Sequence, residues 1–220
     1  MGNIILCLLL ASLKMSKFYN IKSYCSIKNN QVTLNGVVFF EDASISFLDF
    51  IKAAYKNQST KYPKFFKMDN LSKLAFTAAD VLLKNENINP KKDNDIAIVF
   101  SNKSSSLDTD RKHQESIQNK ESYYPSPAVF VYTLPNICIG EISIKYKLHS
   151  ENSFFIFDHF NAAHLFSYTN SLLSSNKTTQ VLCGWVEFDD ANNYEAFLYL
   201  VGEKGEINHT KQDIITLYKT

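Results

Sequence analysis

Among the 220 residues, ENSFFIFDHFNAAH (residues 151–164) gathers the most chemistry, with Asp158, His159 and His164 forming a compact acid and imidazole group. A run of apolar residues passes here into the start of a helix. In many α/β enzymes such a turn presents a nucleophile facing a helix N-terminus that stabilises negative charge. Asp158 could orient His159 as a general base. The turn itself offers Asp158, His159, Phe160 and Asn161, however, with neither Ser nor Cys. Capping of the helix by Asp158 or Asn161 accounts for the same residues without chemistry. A metal site at His159 and His164 would need a third ligand that the local sequence lacks.

The remaining candidates are dispersed. Cys7, Cys25, Cys138 and Cys183 form no C-x-x-C pair, so neither a zinc site nor a disulfide framework is indicated, and a reducing cytoplasm is the expected location. Cys183, inside VLCGWV, reads as a small buried hydrophobe. Cys138 falls near a helix start, where the dipole could activate it, yet a structural role fits it as well. Asp108, Asp110 and His113 suggest a metal cluster, but acids followed by a base at a helix start are explained by the macrodipole. No metal or cofactor is expected.

The elements that must position these residues follow from spacing and punctuation. Length suits one domain of above-average size, or two small ones, and allows a single substantial core. A net charge of +1 gives no global field toward nucleic acid or an anionic membrane. The apolar run IILCLLLASL (residues 4–13) is too short to span a bilayer, is preceded by no Lys or Arg and is followed by no A-x-A site. Residues 1–14 are therefore expected outside the fold, with a domain over 15–204 and a tail over 205–220. A strand is expected over 19–27, then a hairpin-like excursion at Asn29-Asn30 and Asn35-Gly36. Helical spacing marks 44–57 and the stretch after Asp69, a candidate N-cap. DIAIVFS (95–101) reads as a strand covered on both faces. A polar loop and a solvent-facing helix begin near Asp108, and a long buried helix starts at or after Pro135, which no helix interior tolerates. The strand at 153–157 and the helix from 162 precede two antiparallel strands, 180–188 and 194–203. This order calls for a predominantly parallel, helix-covered sheet with an antiparallel member.

The segments LSKLAFTAADVLL, NKSSSLDTDRKHQESI, YYPSPAVFVYTLPNICIGEISIKYKL and CGWVEFDDANNYEAFLYLV together resemble the N-terminal half of a β-ketoacyl synthase of the thiolase superfamily. The resemblance runs over about residues 17–202, and is most specific in the block from Pro125 to Ile142. More narrowly, the chain is similar to the divergent synthase-like proteins of fatty-acid, polyketide and aryl-polyene pathways. The resemblance implies a thiolase-like half, a five-stranded mixed sheet with helices on both faces. A complete synthase is about twice as long and usually dimeric. Its elbow Cys takes an acyl group from acyl carrier protein, and a His pair, or His and Asn, in the second half assists decarboxylation. The chemistry requires a thiolate near a helix N-terminus and donors aimed at the developing oxyanion.

Two departures matter. Matching Glu151-Asn152-Ser153 to the family's Gly-Pro-Ser places the nucleophile position at Phe160, or at His159 or Asn161 if the register slips by one. No Cys lies between Cys138 and Cys183. The half that would carry the His pair is also absent from this sequence. The resemblance therefore implies a catalytically inactive partner of the chain-length-factor type. The alternatives are a residual acyl-thioester enzyme with a non-Cys elbow residue, and a module that binds acyl carrier protein. Phe130, Tyr132 and Tyr146, which in such a fold could line an acyl channel, are expected to fill the core. A lone half would expose the apolar layer that normally packs on its twin, so association is expected, as a homodimer or with a full-length synthase subunit. No membrane or nucleic-acid partner is expected.

Overall fold

The computed structural model describes residues 18–43 and 46–220, and the expected extension at 1–14 lies outside the described residues. The chain opens with an antiparallel meander of β1 (Asn20–Lys28), β2 (Gln31–Leu34) and β3 (Val37–Glu41). Its turns fall at Asn29-Asn30 and Asn35-Gly36, whose φ values of 50°, 56°, 51° and 78° occupy the left-handed region that Asn and Gly tolerate. Helix α1 (Phe47–Asn57) begins where the Ser46 hydroxyl accepts from Asp49 N, and α2 (Asn70–Asn85) where the Asp69 carboxylate accepts from Ser72 N. Then follow β4 (Ile96–Asn102), α3 (Leu107–Ile117), the short α4 (Pro127–Val131), α5 (Ile137–Tyr146), β5 (Asn152–Ile156) and α6 (Ala162–Ser174). The chain continues through β6 (Gln180–Asp190), β7 (Asn193–Gly202), β8 (Ile207–Asn208) and α7 (Lys211–Lys219).

The strands form one sheet in the order β3-β2-β1-β7-β6-β4-β5, with β8 added beside the start of β1. Among the described residues it has eight strands rather than five, because the meander and β8 contribute short strands of their own. Among the described strands only the pairings of β4 with β5 and with β6 are parallel, so hydrogen bonding in the sheet is mainly antiparallel. The architecture is still a mixed sheet covered by helices on both faces.

Period-two alternation divides the core in two. Ile96, Ile98 and Phe100 of β4, Leu182 and Val186 of β6, and Leu198 and Leu200 of β7 meet α1, α2 and α5. Ala97, Val99, Val181, Cys183, Phe197 and Tyr199 point the other way, toward α6 and α7. At Gly184, where φ is 154°, an added Cβ would sit 2.0 Å from the Phe197 carbonyl oxygen; β6 and β7 can approach so closely only with glycine there.

Thirteen of the sixteen residues of α2 are buried, a share too large for an apolar stripe alone, so its polar groups must be paired inside. Asp80 accepts from the Tyr146 hydroxyl at 2.7 Å and from the Thr60 hydroxyl, and pairs with Lys84 at 3.3 Å. On α5, Glu141 accepts from the Tyr62 and Tyr132 hydroxyls, each at 3.0 Å, and pairs with Lys64 at 3.2 Å. These two carboxylates join α2, α5 and the 59–67 connection into one layer.

Residues 205–220 are part of the fold, not the tail expected from the sequence. Asn208 pairs with Asn20, and His209 N donates to Tyr19 O at 3.0 Å. The Thr210 hydroxyl caps α7 by accepting from Asp213 N, and Ile214 and Leu217 enter the second core. Consequently the face expected to be bare is closed, and no large apolar side chain of α6 or α7 is among the exposed ones.

Two measurements check this account. Ile214→Ala should cost about 2–4 kcal/mol in urea unfolding, as for a buried core aliphatic, whereas a loose tail would lose almost nothing. Burial lowers the His209 pKa from 6.5 to about 4. Between those values the unfolded chain binds a proton that the folded chain refuses, so stability present above pH 6.5 is lost as the pH falls toward 4. The loss should reach ~3 kcal/mol, and His209→Gln should flatten that part of the stability curve.

Candidate functional site

The elbow begins where β5 ends. Phe157 N still donates to Asn102 O at 2.9 Å, after which the chain turns through Asp158 and His159 into α6. The Asn161 side chain caps that helix by accepting from His164 N at 2.9 Å. Phe160, just before the cap, is half-buried against the second core. Its ring stacks on Tyr218 of α7 at 4.0 Å and meets Phe197 and Trp185 edge-on at 5.8 and 6.3 Å. Tyr218 is held in turn by its hydroxyl, which donates to Glu195 at 2.6 Å. Of the three positions that the resemblance leaves for a nucleophile, Phe160 is thus a half-buried ring stacked on the C-terminal helix, His159 is exposed and Asn161 is the cap.

The acid and imidazole group is not assembled. Asp158 and His159 are exposed, and neither makes a side-chain hydrogen bond among the described residues. His164 lies on the helix with its ring against Phe155 at 4.4 Å and Phe157 at 4.9 Å, and parallel to Tyr168. No carboxylate orients it. The thiols offer no substitute. Cys183 is fully buried, accepts from the Thr169 hydroxyl at 3.4 Å, and is pushed up to about 12 by desolvation. Burial likewise raises Cys25 and Cys138 well beyond the range of a reactive thiol.

Other candidates resolve into packing and pairing. Asp108 accepts from Asn70 at 2.9 Å and pairs with Lys112 at 2.6 Å, Asp110 accepts from the Ser106 hydroxyl, and His113 packs on Phe130 at 5.4 Å. Among the described residues no group of three or more His, Cys, Asp and Glu side chains is placed to hold a metal. Tyr146 fills the core as expected, and Tyr132 is half-buried, but Phe130 is exposed, a correction to the core assignment.

That exposure belongs to a larger feature. Glu187 of β6 accepts from Lys103 N at 2.6 Å and Ser104 N at 3.2 Å, fixing the loop that leaves β4. The Ser106 hydroxyl then donates to Thr133 O, tying the 127–134 segment to the start of α3. Tyr123, Tyr124, Phe130, Val131 and Leu134 all stand exposed along this segment. The β4 loop and the elbow both lie at the C-terminal ends of parallel strands, where open α/β sheets place their sites. Sequence reasoning missed Tyr218 and Glu187; each acts across a long sequence separation, and neither lies in a motif.

Solved structures that resemble the chain share one architecture. The ishigamide ketosynthase/chain length factor matches with a TM-score of 0.61 at 15% identity, over 86% of this chain and 64% of that one. A chain from the ketosynthase ApeO in complex with its chain length factor ApeC, from Xenorhabdus doucetiae, matches with a TM-score of 0.58 at 14% identity, over 92% and 90%. A β-ketoacyl synthase from Burkholderia phymatum matches at 0.58 and 11% identity, over 86% and 59%. This chain has the β-ketoacyl synthase fold. It spans less than two thirds of the first and third of these chains and nine tenths of the second. No family model and no curated protein matches it. Among the described residues of this ketosynthase-like chain, no helix is long and apolar enough to cross a membrane.

Phe160→Ala should lower stability by roughly 2–3 kcal/mol, and His159→Ala by less than about 0.5 kcal/mol, in parallel urea titrations. Equal effects would mean that Phe160 faces solvent, as a residue presented to a substrate would.

Proposed function

We propose that this chain is a non-condensing partner of a condensing enzyme, acting as a chain length factor does in fatty-acid, polyketide or aryl-polyene synthesis. The observation that carries this reading is the Phe160 ring, stacked beneath Tyr218 where the fold would set a thiolate. An aromatic ring cannot accept an acyl group, and no activated thiol or aligned base lies in the turn to replace it. Two of the structural neighbours are named as pairings of a ketosynthase with a chain length factor, and one of those chains is of similar extent to this one.

A surface suited to such a partner is present. Among the described residues β5 is an edge strand with an open side, and Ile156 on it is exposed. An open edge is a template for pairing with another strand. Phe130, Val131 and Leu134 add exposed apolar area at the same end of the sheet. We assign these to contact with a full-length condensing enzyme in the cytoplasm, in preference to a second copy of this chain, because the chemistry must come from a subunit that retains Cys and His. Residual acyl-thioester chemistry on this chain and simple storage of acyl carrier protein are the competing readings.

Coexpression with a full-length condensing enzyme of the same genome should yield a 1:1 complex by size exclusion and native mass. A Phe130→Glu, Val131→Glu double variant should weaken it by at least tenfold, as loss of a hot-spot cluster does. After incubation with an acyl-carrier-protein thioester, intact mass should show acyl on the enzyme alone. An acyl adduct on this chain would establish the enzymatic reading, and capture of carrier protein without any synthase the storage reading.

A further inference from the structure

Glu187, near the end of β6, is 8% exposed, and among the described residues no cation forms an ion pair with it. Its partner across the strand pair is Glu195 of β7, so two carboxylates stand directly opposite on one face of the sheet, an arrangement that costs stability. Lys28 of β1 pairs with the other side of Glu195, away from Glu187. A buried acid without a counter-ion, facing a like charge, is a poor choice for stability alone. Such a side chain calls for an account in terms of what it holds.

What Glu187 holds is backbone. Its Oε2 accepts from Lys103 N at 2.6 Å and from Ser104 N at 3.2 Å, directly after β4 ends at Asn102. Both bonds are charge-assisted and belong to the stronger class of hydrogen bond. The next residues carry the constraint outward. Asn102 Nδ2 donates to Ser105 O at 2.8 Å, and Asn102 Oδ1 accepts from Ser105 N at 3.0 Å, closing a turn in which Ser105 has a φ of 52°. The buried Ser106 hydroxyl then donates to Thr133 O.

The segment that receives this last bond has little else to fix it. Helix α4 is five residues long and buries none of them. Among the described residues, one other side-chain bond ties 127–134 to a neighbouring element, from the Tyr132 hydroxyl to Glu141 of α5 at 3.0 Å. Segments with so few buried contacts open locally at low cost unless they are tethered. We propose that Glu187 is a positioning residue for the exposed surface of Phe130, Val131 and Leu134: through residues 103–106 and Thr133, its carboxylate keeps that surface in the arrangement a partner meets. This rests on the reading of that surface as the contact with a condensing enzyme. Affinity is then governed by a side chain beneath the surface as well as by those on it.

The test compares the full chain with Glu187→Ala and Glu187→Gln, by amide exchange and by affinity for a full-length condensing enzyme of the same genome. The amides of Phe130, Tyr132 and Thr133 are hydrogen-bonded within the segment. In Glu187→Ala they should exchange at least tenfold faster, while those of β6 and β7 stay within about twofold. Affinity should fall at least fivefold. Glu187→Gln keeps one acceptor oxygen without the charge, and both effects should be intermediate. A merely structural role would speed exchange in β6 and β7 as much as in the segment, and that result overturns the proposal. An unchanged segment overturns it too, as does unchanged affinity beside a loosened segment. If the unaltered chain binds no condensing enzyme, the partner reading falls, and exchange alone decides whether Glu187 positions the segment. Should Glu187→Ala fail to fold, Glu187→Gln decides: faster exchange confined to 130–133 supports the proposal, and its absence overturns it.

Discussion

Everything in this fold depends on β4, β6 and β7 being buried on both faces. A strand in that position must be apolar on alternate residues in both directions, and its two faces must each find a helical layer. The first layer, α1, α2 and α5, is supplied by the chain that precedes β5. The second comes from α6 and from the last helix, without which Phe197, Tyr199 and Val201 would face water. A single sheet of this kind can therefore stand alone only if the chain itself provides a lid for the face next to the elbow.

That lid has a direct effect on the elbow. The geometry that presents a nucleophile in a condensing enzyme, a strand end, a tight turn and a capped helix N-terminus, is retained around Asn161. What it presents is turned inward, because Phe160 finds Tyr218, Phe197 and Trp185 on the covered face. The same aromatic packing that completes the second core thus occupies position 160.

Much of this was legible in the sequence, and the residues show why some was not. The caps at Asp69 and Asn161, the Asn-Asn and Asn-Gly turns, and the doubly buried β4 follow from local rules, and each was read within a few residues of its place. The absence of a thiol at the elbow was equally plain. The C-terminal helix was missed because KQDIITLYKT is short and carries only Ile214, Ile215, Leu217 and Tyr218 against the core; Thr210 three residues before Asp213 was the available cap signal. The strand count was low because QVTL and the two residues of β8 are too short for alternation to register. Asp80 and Glu141 were unreadable as buried acids, since their hydroxyl partners Tyr146, Tyr62 and Tyr132 come from other elements.

The pairing of β1 with β7 has a consequence for how the molecule is made. These strands stand side by side in the sheet, yet nearly the whole domain separates them along the chain. As the polypeptide leaves the ribosome the β1-β2-β3 meander can form at once and meet α1 and α2, but β1 has no strand partner on its other side until β7 has been synthesised. Through that interval the β1 edge that β7 will cover, with Ile21, Cys25 and Ile27 on it, lacks its strand partner. Closure across so long a loop is slow and leaves nascent strands open to association. The yield of this protein should accordingly be set by the rate of translation and by chaperone supply during the last third of synthesis, more than by the stability of the finished fold.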